Sequence, residues 1–142
     1  MTEFEEKMYK NGLIKLSHTL TKCLTPMNEL VLSSLIVERD YAVQNGYITD
    51  DGYFITNEDV LSYHTGLSDD AVCAGVKNLK RRNLIQSKVY ENLYFVRIDE
   101  EQIIKAVEEI EHDDKYYYGN WDEGLKKVQE KILKLDMANK GE

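Results

Sequence analysis

A chain of 142 residues, 42% hydrophobic and 31% charged, can enclose one core, so one domain with an appended helical tail is the natural expectation. No stretch of about 18 apolar residues occurs, which excludes a membrane-spanning helix. A net charge of −8 excludes indiscriminate attraction of polyanions to the whole surface.

Met1-Thr2-Glu3-Phe4-Glu5-Glu6 is acidic and lacks the basic-then-apolar order of a secretory leader. Cys23 and Cys73 fall in different elements with no metal-ligand spacing, so two reduced thiols in a cytoplasmic protein are expected. Residues 1–11 read as a polar, weakly helical lead, 12–17 as a short strand and His18 to Leu24 as one helical turn. Thr25-Pro26 is a firm helix start, a capping hydroxyl followed by proline in the first turn. Leu30, Val31, Ser34, Leu35, Val37, Glu38 and Tyr41 mark the inward face of a helix of about five turns, ended by Asn45-Gly46. Next, Tyr47-Ile48-Thr49 and Tyr53-Phe54-Ile55 flank Asp50-Asp51-Gly52, a hairpin signal.

The stretch from Thr56 to Ile98 organises the rest. Thr56 and Asp59 stand as Ncap and N3 of a helix running to His64. Thr65-Gly66-Leu67-Ser68 breaks it, with Gly66 free to turn left-handed. Ser68 caps a second helix that opens on Asp69 and Asp70, buries Val72, Val76 and Leu79, and ends on Lys80-Arg81-Arg82 and Asn83. Leu84 to Tyr90 and Leu93 to Ile98 then form a hairpin around Glu91-Asn92, its partner being the arm at Tyr53 to Ile55. The fold class is therefore mainly α with a small antiparallel β-sheet: a winged helix-turn-helix over residues 1–98 and a C-terminal helical extension over 99–142. In that extension Asp99 and Gln102 form a capping box, with Ile103, Val107 and Ile110 on one face. A tyrosine-rich connection containing Tyr116 to Tyr118 leads past Trp121 to a last helix. Leu125, Val128, Ile132 and Leu135 there make a short 3-4-3 seam. Such a seam is too short to stand alone, and either a homodimer contact or docking onto its own core would cover it.

Charge is distributed unevenly. Residues 67–98 carry +3, whereas 25–66 and 99–142 carry −6 each. In a helix-turn-helix protein the second helix enters the major groove of DNA. The candidate DNA-binding residues are thus Ser68, Lys77, Lys80, Arg81 and Arg82, with Lys88 and Arg97 on the wing. About four to six phosphate contacts give strong salt dependence and little sequence discrimination. Asp69 and Asp70 at the head of the same helix repel phosphate, and winged helices also serve as protein-binding modules. A host protein partner is therefore the alternative. His18, His64 and His112 are far apart in sequence, and no metal, nucleophile or phosphate-loop motif occurs. The expectation is no catalysis and no cofactor.

Taken in order, Ile14-Lys15-Leu16, Leu24-Thr25-Pro26, the Asp51-Gly52 hairpin, Thr56-Asn57-Glu58-Asp59, Gly66-Leu67-Ser68, Val76-Lys77-Asn78-Leu79 and Asn83-Leu84-Ile85 resemble one known group. They are similar to the winged-helix N-terminal domains of replication initiators from phages and plasmids of low-GC Gram-positive bacteria, over roughly residues 13–98. The resemblance implies binding of double-stranded DNA in replication initiation, or in transcriptional control, where the same module recurs. It places Ser68, Lys77 and Lys80 on the DNA-facing side and Lys88 on the wing. This chain departs from that pattern at Asp69, Asp70 and Ala74, where the group favours polar or basic side chains. The departure fits the alternative, an acidic module that regulates or inhibits a host DNA-handling complex.

Overall fold

The computed structural model describes residues 2–10, 14–17, 19–112 and 121–140. A short exposed helix, α1 (Glu3–Met8), is capped by Thr2. A 3-10 turn over Leu20–Lys22 buries Leu20 and leads into α2 (Pro26–Gln44). Thr25 starts α2 as its sequence requires, its Oγ1 accepting from the Asn28 amide at 3.2 Å. A two-residue strand, β1 (Phe54–Ile55), precedes α3 (Glu58–Thr65) and α4 (Asp69–Arg81). Strands β2 (Ile85–Tyr90) and β3 (Leu93–Ile98) form the wing, and α5 (Glu100–Glu111) and α6 (Trp121–Lys140) follow.

The sheet is antiparallel in the order β1-β3-β2, with Phe54 opposite Val96 and Ile85 opposite Ile98. Side chains alternate across it, so Phe54, Ile85, Val96 and Ile98 face inward and are buried. They meet Val31, Leu32 and Leu35 of α2, Leu61 of α3, and Val72, Val76 and Leu79 of α4 in one core. Glu91 and Asn92 join β2 to β3 with φ of 50° and 65°, the left-handed pair that a two-residue hairpin turn needs. Gly75 in α4 faces α2 so closely that a β-carbon there would lie 3.0 Å from Val31 Cγ2. From α5, Ile103, Ala106 and Val107 pack against the same core, and Arg39 of α2 holds Glu100 at 2.6 Å.

The structure changes several sequence-based expectations. Residues 14–17 are not in the sheet, while residues 12 and 13 lie outside those described. Thr56 does not cap α3. Asn57 does, its Oδ1 accepting from the Val60 amide at 2.9 Å. Thr56 is instead buried and donates to Glu38 Oε1 at 2.6 Å, a tertiary acceptor that a local capping pattern ignores. The expected 47–55 hairpin reduces to a turn closed by the Thr49 amide on the Tyr53 carbonyl at 2.9 Å. Only its second arm is a strand, because the Tyr47 amide is already used at the end of α2, on the Ala42 carbonyl. In α2, Glu29, Leu32 and Ser33 are buried together with the expected Val31, Ser34 and Leu35, but Val37 and Tyr41 are exposed. His64 is half-buried and hydrogen-bonded to Ser34 Oγ at 2.7 Å, pinning α3 to α2. The tyrosine cluster at 116–118 and the Trp121 side chain lie outside the described residues.

Two carboxylates are held inside. Glu29 accepts from the Ser17 amide and Glu38 from Thr56, and each keeps a second oxygen without a hydrogen-bond partner among the described residues. Burial pushes both carboxyls above the ordinary value of 4.5. For an acid whose folded value is raised, the unfolded chain loses its proton first. The stabilising contribution is therefore full below pH 4.5 and declines as pH rises from there through the folded value. Replacing Glu38 by Gln removes one such titration, since an amide oxygen can still accept from Thr56. Its melting temperature should fall less than that of the parent protein as pH is raised above 4.5, in thermal denaturation followed by circular dichroism.

Candidate nucleic-acid interface

Two helices and a turn present the site. Gly66 ends α3 in the left-handed conformation, φ 76°, and its amide bonds back to Ser62. Two residues later Ser68 starts α4, its Oγ accepting from the Ala71 amide at 3.2 Å. That leaves the Ser68 hydroxyl proton free to donate, and the residue is exposed. Because Val72, Val76 and Leu79 lock one face of α4 into the core, the opposite face turns outward. Asp70, Ala74, Lys77 and Arg81 follow one another at 4-3-4 spacing along that outward line, all exposed.

Lys77 and Lys80 also line a cleft of about 450 Å³, with Cys73 and Val76 of α4, Asn57 at the cap of α3, Glu58 of α3, and Tyr94 of β3. Among the described residues, Lys77, Lys80, Arg81 and Arg82 form no ion pair. The acidic pair at the head of α4 is split by the fold. Asp69 turns back to α3, where it accepts from Ser62 Oγ at 2.7 Å, while Asp70 stays on the outward line. The Cys73 thiol is pushed above its ordinary value, first by its hydrogen bond to Glu58 and then by desolvation and the charge of that carboxylate.

The remaining candidate cations point elsewhere. Arg82 borders a shallow pocket with Cys23, Gln102, Lys105 and Glu109 on the α5 side. Lys88 and Arg97 share the outer face of the wing, since Lys88 stands opposite Phe95 and Arg97 opposite Gln86 in the ladder. Lys88 Nζ lies 3.6 Å from Asp51 and 4.1 Å from the Tyr53 ring centroid. Arg97 donates to Gln86 Oε1 at 2.9 Å and lies 5.8 Å from the same ring. Gln86 in turn donates to Asp99, which this bond and the Gln102 amide hold below the ordinary carboxyl value. The fold thus gathers Ser68, Lys77, Lys80 and Arg81 on α4, and sets Lys88 and Arg97 on the far side of the sheet with partners of their own.

Sequence reasoning does not select Asn57 and Tyr94 for the cleft. Tyr94 carries a readable signal, since it alternates with the inward Val96 and Ile98 on β3. Asn57 carries none as long as Thr56 reads as the cap.

No protein-family model matches this chain, and no curated protein matches it. Solved structures are similar. One is described as "Structure of Rep-DNA complex", with a TM-score of 0.56 and 18% identity over 82% of this chain and 98% of that one. Another, "N-Terminal domain of DNA binding protein", has a TM-score of 0.55 and 18% identity over 80% of this chain and 95% of that one. The likeness is one of fold. At that identity it carries the mainly helical architecture with its three-stranded antiparallel sheet, and the winged helix-turn-helix arrangement agrees with it. Among the described residues no helix is long and apolar enough to cross a membrane, and no cluster of His, Cys, Asp and Glu is placed to hold a metal ion.

Proposed function

We propose that this chain binds double-stranded DNA through α4, as a non-catalytic, cofactor-free cytoplasmic module of a phage or mobile element acting in replication initiation or transcriptional control. One observation carries the reading. Lys77, Lys80 and Arg81 stand exposed, without ion pairs among the described residues, on the second helix of a helix-turn-helix in the chain's one strongly positive segment. The solved Rep–DNA complex with the same fold supports it. Ser68 and the three cations suit phosphate oxygens, whereas Ala74 offers no donor to a base edge. Affinity therefore rests on the backbone more than on sequence.

A titration of fluorescent duplex at two salt concentrations tests this. Three neutralised phosphates, one for each cation, predict a fall in affinity of about 40-fold between roughly 50 and 200 mM salt. A salt-independent association, or none at about 50 mM, rejects the site. The second reading is a protein-binding module. It is favoured by an apolar groove of about 640 Å³ between Val37 and Tyr41 of α2, Tyr47, Ile55 and Val60, several of them well exposed. Failure to hold duplex at low salt moves the function to that groove and a host protein partner.

A further inference from the structure

The seam of α6 is left open by the described residues. Leu125, Val128, Ile132 and Leu135 are 42%, 46%, 59% and 62% exposed, so the described residues do not dock this face onto the chain's own core. Their spacing assigns them to positions a, d, a and d of a heptad, and the next a position is Asn139, one residue before the end of the helix. In the same frame Lys131 takes position g and Asp136 position e of the following heptad. Leu133 and Met137, also exposed, fall at b and f, away from the seam.

We propose that α6 pairs with α6 of a second copy as a parallel, in-register, two-stranded coiled coil. In that arrangement each g position faces the following e position of the other helix, so Lys131 meets the partner's Asp136 twice by symmetry. An antiparallel pair sets g against g and e against e, which removes the complementarity. In the second heptad Ile132 at a with Leu135 at d favours two strands, whereas Leu125 at a with Val128 at d in the first heptad does not add to that preference. Asn139 at a can hydrogen-bond across the axis to its own counterpart only in a parallel, unshifted pair, which fixes the register. Within one chain Asp136 holds Lys140 at 3.2 Å in a largely exposed pair, a contact weak enough to be exchanged.

The dimer stands on α6 and not on DNA binding, so either can fail without the other. Where both hold, two winged domains engage half-sites one helical turn or a multiple apart, and the linkage raises the effective concentration of the second.

Sedimentation velocity of the full chain from about 5 to about 500 μM should show a concentration-dependent approach to twice the monomer mass. Ile132→Glu, at a site already 59% exposed, should weaken association at least about tenfold, with a helical circular dichroism equal to that of the parent chain diluted to monomer. In a Cys23→Ser, Cys73→Ser background, Leu135→Cys should form a covalent dimer on mild oxidation, because d positions face each other across a parallel pair. Lys127→Cys, at position c, should not. A monomer at every concentration, a trimer, a dimer indifferent to Ile132→Glu, or equal cross-linking by both cysteine variants overturns the proposal.

Discussion

Replacing Lys77 and Lys80 together by Glu is expected to lower duplex affinity at about 50 mM salt by at least about a hundredfold. The two side chains lie three residues apart on α4, border one cleft and have no ion pair among the described residues. Both are exposed, so the reversal removes two phosphate contacts and adds two repulsions without disturbing the core. The slope of log affinity against log salt should become shallower by about 2, roughly one for each phosphate no longer neutralised. Asp70→Asn gives the opposite sign, since Asp70 is the carboxylate that remains on the outward line, and affinity should rise several-fold. Lys88→Ala should matter much less, its ammonium already lying between Asp51 and Tyr53. Fluorescence anisotropy on one labelled duplex measures all of these. An unchanged affinity in the double variant would remove α4 as the contact surface.

The second large effect concerns the fold. Phe54→Ala should cost about 3–5 kcal/mol, a large part of the roughly 5–15 kcal/mol that holds a domain together. Phe54 is 1% exposed, the largest fully buried side chain among the described residues, and sits opposite Val96 in a strand of only two residues. Its neighbour Ile55, 55% exposed on the other face of β1, should cost under about 1 kcal/mol when changed to Ala. Urea denaturation of the two variants separates them. Equal costs would mean that β1 is paired one residue out of register, because a slip of one exchanges the two faces.

Much of this architecture is readable from local chemistry. Ser68 as a cap, Gly66 and Asn83 at positive φ, the Glu91-Asn92 turn and the buried trio Val72, Val76 and Leu79 each depend on neighbours within a few residues. What sequence alone misplaces depends on distant partners. Thr56 is drawn from its capping role by Glu38, 18 residues earlier. The apolar spacing of α2 reads as a single stripe, yet Glu29 and residues 31–35 are buried together, because α2 lies between other elements and has no free side there. At the site, spacing places Lys77, Lys80 and Arg81 along one helix. It cannot reveal that Asp69 bonds to Ser62, or that Lys88 and Arg97 lie behind the sheet with Asp51, Gln86 and Tyr53.

Gly75 gives the outward face of α4 an unseen determinant. Glycine inside a helix weakens it by about 1 kcal/mol relative to alanine, yet here it lets two backbones approach to within reach of Val31. The stand-off between those backbones sets the tilt at which Lys77 and Lys80 are offered to a ligand. A bulky residue at position 75 would act as a shim, re-aiming the cations from behind, and so alter recognition from a place no ligand can reach.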